Sequence, residues 1–162
     1  MGNCDSFFPK KNKQTFFNTY LNRVSKFAFK AFAALCQLKE NSLYLVRTTK
    51  LLQLITLLGT CIQKDEVYVP DLVLSIETCM RLGFSENSLL EGEKQMKEDY
   101  IGVFINSGTL EAISNRLSNL RTPLEATTPI PSLLINTLKL LETLTSYNDE
   151  KYVFIYQNFN FF

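Results

Sequence analysis

The chain has no histidine and no tryptophan in 162 residues. Without histidine there is no Ser–His or Cys–His dyad, no imidazole-ligated zinc, and no side chain whose ordinary pKa lies near neutrality. Glycine (6) and proline (5) are sparse, which argues for long helices over a turn-rich β fold. The glycines stand apart at 2, 59, 83, 92, 102 and 108, so no phosphate-cradling loop is present. Four cysteines, at 4, 36, 61 and 79, include no Cys-x-x-Cys pair. Three of them fall within apolar helical patterns and read as reduced core residues of a cytoplasmic protein. No run of about 18 uninterrupted apolar residues marks a transmembrane helix, and the N-terminus lacks the apolar stretch of a secretory signal. Glu91, Glu93, Glu98 and Asp99 alternate with Lys94 and Lys97, which reads as a solvated stretch rather than a cation site. No metal and no cofactor is expected.

Hydrophobic residues make up 46% and charged residues 20%, the composition of one globular domain that can bury a core without staples. The net charge of +1 hides a split. Residues 1–50 hold nine Lys/Arg against Asp5 and Glu40, a balance of +7, and residues 51–162 carry −6. The basic end reads as a solvated surface or as one suited to acidic protein or anionic lipid. Its aromatics fit helix packing better than base stacking, so no nucleic-acid partner is expected. The opening Met-Gly-Asn-Cys-Asp-Ser fits the N-myristoylation pattern with Gly2 as acceptor, and Cys4 is a candidate for a second acyl chain. Lys10, Lys11 and Lys13 would hold anionic headgroups, the second signal that one myristoyl chain needs.

Along the chain, residues 1–14 read as a flexible basic leader and 15–150 as the folded domain. Apolar residues recur at three and four from Thr15 to Leu38. A second helical run covers Leu43 to Ile62, and a third starts at Pro70 and ends near Leu82, with Gly83 as its stop signal. Residues 84–99 read as an inserted acidic loop, or an exposed acidic helix. Tyr100–Asn119 is two helical pieces hinged at Ser107-Gly108. Pro123, Pro129 and Pro131 mark a Pro/Thr loop at 121–131. Ser132 caps a helix to about Ser146, and 151–162 is an aromatic tail, read as the start of an incomplete repeat.

The chain also resembles itself. With a shift of 59, Val46 meets Ile105, Leu51 meets Leu110, Leu54 meets Ile113 and Leu58 meets Leu117. With a shift of 44, Ala28 meets Leu72, Phe32 meets Ile76, Leu35 meets Cys79 and Leu38 meets Leu82, and Glu-Asn-Ser-Leu follows both stretches, at 40–43 and 86–89. With a shift of 109, Phe32 meets Leu141 and Leu35 meets Leu144. Helices repeating at about 40–47 residues are the pattern of armadillo and HEAT solenoids. The order of a short helix, a bend and two further helices resembles the armadillo unit. Asn41–Arg47, Leu51–Leu58 and Pro70–Leu82 form one such unit. Tyr100–Asn106, Leu110–Leu117 and Ser132–Ser146 form the next, and 15–38 is the third helix of a preceding one. The expected fold is therefore all-α, a right-handed α-solenoid of two to three armadillo-like repeats, truncated at its C-terminus.

What this resemblance implies is a non-enzymatic scaffold that binds another protein. Peptide-binding armadillo proteins carry Asn on each third helix, often beside Trp. The matching positions here are Ala34, Thr78 and Thr143, so nuclear-signal binding of that kind is not implied. Lys30, Arg81 and Lys139 fall near the same side as those three. They read as ordinary solvated residues or as the basic wall of a groove for an acidic segment. A second reading is an N-terminally lipidated adaptor on an anionic membrane. A third, a small enzyme of unknown class, has no marked acid–base pair behind it. Self-association through 152–162 is expected if that tail leaves an apolar patch uncovered.

Overall fold

The computed structural model describes residues 10–64, 66–84, 91–119 and 131–147. Residues 1–9 of the basic leader, with Gly2 and Cys4, residues 121–130 of the Pro/Thr loop and the aromatic tail at 151–162 lie outside them, whereas residues 10–14, read as the end of the leader, belong to the first helix. Among the described residues the protein is all-α, with seven helices and no strand. They are α1 (Lys10–Cys36), α2 (Lys39–Arg47), α3 (Lys50–Cys61), α4 (Val69–Gly83), α5 (Glu91–Asn106), α6 (Thr109–Asn119) and α7 (Ser132–Thr145).

The helix ends follow from local chemistry. The last-turn carbonyls of α1 have no partner within the helix. Asn41 Nδ2 donates to Leu35 O at 2.9 Å and Ser42 Oγ to Cys36 O at 2.7 Å, so the first turn of α2 caps the end of α1. The run from Leu43 to Ile62 is not continuous. It breaks at Thr49, whose φ of 59° lies in the left-handed region. The hinge at Ser107-Gly108 is present, and Gly108 has a φ of 71°. Pro70 sits in the first turn of α4, where its missing N–H costs nothing. Gly83 is the last residue of α4, where a stop was expected. It is not left-handed; a Cβ there would meet Val46 Cγ2 at 2.5 Å and Ser42 O at 3.1 Å. Its lack of a side chain lets α4 approach α2. Ser132 is the first residue of α7 rather than its cap, a place taken by Pro131.

Of the two readings of the acidic stretch, residues 91–99 take the helical one, as the first turns of α5, and not the inserted loop. Glu, Lys, Gln and Met are strong helix formers, and Tyr100, Ile101 and Phe104 further along supply the buried face.

The core gathers on α4. Its Leu72, Val73, Ile76, Cys79 and Met80 are all at 0% exposure, and α1, α2, α3 and α7 pack against it. α3 in turn packs on α5 and α6. Full burial of such side chains stabilises by about 1.5–3 kcal/mol each. Three buried or half-buried polar bonds fix the register between helices. Tyr100 Oη donates to Val46 O at 2.7 Å, Thr109 Oγ1 to Ile55 O at 3.1 Å, and Asn136 Nδ2 to Pro70 O at 2.9 Å. Gly59 lets α3 and α6 approach closely, since a Cβ there would stand 2.5 Å from Thr109 Oγ1. Cys36, Cys61 and Cys79 are buried free thiols. Burial pushes the Cys61 thiol up. Cys79 donates to Cys36, which raises Cys79 and lowers Cys36.

Candidate groove between the fourth and seventh helices

A cavity of about 740 Å³ opens where α4 and α7 run beside each other. α4 contributes Leu74, Glu77 and Arg81, and Phe84 follows at its end. α7 contributes Lys139, Glu142 and Thr143, with Ser146 and Tyr147 just beyond it. Lys97 reaches in from α5, and Gln37 stands at the end of α1.

The floor is a polar chain across two elements. Glu77 is buried at 4% exposure, and an unpaired charge there would be costly. Its carboxylate accepts from Arg81 Nε at 2.8 Å through Oε1 and from Thr78 Oγ1 at 3.2 Å through Oε2. Gln37 Nε2 donates in turn to Thr78 Oγ1 at 3.4 Å. Arg81 is thus committed to Glu77 by an i,i+4 pair on α4.

One end of the groove is aromatic. Phe84 meets Tyr100 and Tyr147 edge-on, with ring centroids 5.6 and 5.4 Å apart. Lys97 Nζ lies 5.1 Å from the Tyr147 ring and 5.9 Å from the Phe84 ring, a cation held over π faces. Burial and the nearby Glu77 and Glu93 push the Tyr147 phenol up, Arg81 opposing. The Tyr147 hydroxyl is buried with no hydrogen-bond partner among the described residues.

Of the residues singled out in the sequence, Arg81, Lys139 and Thr143 line this cavity. Thr78 is at 0% exposure and lies beneath it, bonded to Glu77 and Gln37. Lys30 and Ala34 are exposed on α1 and are not among the lining residues. Glu77, Lys97 and Tyr147 were not picked out by sequence reasoning. The Glu77–Arg81 spacing was a readable signal. Lys97 falls in the polar stretch read as a loop or an exposed acidic helix, and Tyr147 follows the helix it belongs with, so neither carried a periodic mark. Among the described residues there is no group of three or more His, Cys, Asp or Glu that would hold a metal, and no helix is long and apolar enough to cross a membrane.

No protein-family profile, no curated protein and no solved structure matches this chain.

Proposed function

We propose that this chain is a short right-handed α-solenoid of armadillo-like units and that it works as a non-enzymatic binding module for an acidic segment of another protein. The observation that carries the function is the groove between α4 and α7. Its Glu77–Arg81 pair is internally neutral, and Lys139 on α7 and Lys97 over the aromatic end bring cations to the lining beside Glu142. A partner segment with carboxylates along it would meet Lys139 and the cation that Lys97 carries over the aromatic rings.

Three observations support the repeat underneath. The described residues with positive φ are Thr49 and Gly108. They stand 59 apart, the same shift that aligns the two short-helix, bend, helix segments. The bonds from Tyr100 to Val46 and from Thr109 to Ile55 both span 54 residues, as stacked copies of one unit would give. Finally, α1 and α7, the proposed third helices on either side, both pack on α4, and α3 packs on α6. The buried free thiols favour a reducing compartment such as the cytoplasm.

The test is a peptide-display selection on the full chain, followed by affinity measurement of the selected peptides. Peptides rich in Asp and Glu are expected, and Lys97→Glu with Lys139→Glu should weaken them about tenfold or more. Selection of uncharged or basic peptides, or affinities that the double variant leaves unchanged, contradicts the groove. Arg81 is a poor choice for this test, because its substitution strands a buried Glu77.

A further inference from the structure

We propose that the outer face of α1 docks on an anionic lipid surface, independently of any acyl chain and of the groove. From Arg23 to Cys36, α1 has one apolar face packed on the core and a second that is exposed. Phe29, Phe32, Ala33 and Cys36 pack inward against the core. Val24, Phe27 and Leu35 are 47%, 69% and 55% exposed. They share one side at spacings of three and eleven, with exposed Ala28 and Ala31 between them. Exposed Arg23, Lys26 and Lys30 flank this stripe on one edge.

Charge decides what covers it. The 27 residues of α1 hold six Lys/Arg and no Asp or Glu. A second copy seated α1 on α1 would set those cations against their like. The outward side of α7, where Ile135 and Leu138 are exposed, carries Lys139 beside Glu142 and offers no net negative charge. An anionic bilayer supplies both needs at once. Its headgroups pair with the cationic edge, and its interfacial layer takes in Val24, Phe27 and Leu35, as for basic amphipathic helices lying in the membrane plane. α1 packs mainly on α4 and α2, which leaves its outer side to lie flat on such a surface.

The test uses the full chain made in a host without N-myristoyltransferase, so that Gly2 stays unacylated. It is sedimented with vesicles of phosphatidylcholine alone or of phosphatidylcholine mixed with phosphatidylserine. Binding is expected to the mixed vesicles only, and to fall with added salt. Arg23→Glu, Lys26→Glu and Lys30→Glu together should cut it at least about tenfold. Phe27→Ser with Leu35→Ser should also cut it, with unchanged helix content because both residues are exposed. The groove variant Lys97→Glu with Lys139→Glu should bind vesicles as the parent does, which separates this surface from the groove. No binding to the mixed vesicles overturns the proposal. So does binding that both α1 variants leave intact. Oligomers in lipid-free solution that Phe27→Ser with Leu35→Ser turns into monomers would assign the face to a second copy and overturn it as well.

Discussion

Thr49 and Gly108 occupy the same left-handed backbone region, but only one of them suits it. A β-branched residue there costs about 1–2 kcal/mol, a strain that glycine does not carry. Thr49→Gly should therefore stabilise the protein, by about 0.5–1 kcal/mol after the greater entropy loss of glycine. Gly108→Ala should destabilise it by about 1 kcal/mol. Urea unfolding of both variants checks the pair, and a destabilising Thr49→Gly would count against the shared bend. Tyr100 sets a second residue-scale expectation. Burial pushes its phenol from 10.0 up to about 12, and its hydroxyl donates to Val46 O. The folded state thus holds this proton more tightly than the unfolded chain. The stability this gives is complete below about pH 10 and is lost as pH rises toward about 12. Alkaline unfolding followed by circular dichroism should show that loss, and Tyr100→Phe should reduce it. Equal alkaline sensitivity in both proteins would contradict the assignment.

At the scale of elements, α4 is the helix on which the others depend. Ile76 is at 0% exposure and Ile135 on α7 is at 40%. Ile76→Ala should cost about 2–5 kcal/mol, and Ile135→Ala should stay within about 0.5 kcal/mol. Chemical denaturation distinguishes the two, and a small loss at Ile76 would mean that α4 is not central. The sequence made α4 readable because Pro70, the apolar spacing and Gly83 agree, although Gly83 acts by close approach to Val46 and Ser42 rather than by a left-handed turn. The break at Thr48-Thr49 was legible only by alignment with Ser107-Gly108, since threonine is not a turn residue by composition. The start of α5 was hidden because its first turns are charged and its buried residues begin at Tyr100. The groove was half legible for the same physical reason. Arg81, Lys139 and Thr143 follow helical periodicity, whereas Lys97 and Tyr147 reach the groove through tertiary packing of α5 and of the residue beyond α7. Lys30 and Ala34 keep the periodicity on α1 yet stand outside the lining.

For the molecule as a whole, the charge split gains a location. The six cations of α1 carry much of the basic balance of residues 1–50, and Arg23, Lys26 and Lys30 are not among the residues that line the groove between α4 and α7. Two proposed binding surfaces thus separate, one for an acidic segment and one for anionic lipid, and the Lys139 and Phe27 variants act on different measurements. The groove reading rests on the proposed third helices being stacked in a row, with α4 between α1 and α7. Amide residual dipolar couplings in a weakly aligned sample report each helix's direction without reference to contacts. The account predicts that α1, α4 and α7 fit one alignment tensor as roughly parallel rods. Couplings that place the three at unrelated angles would contradict it.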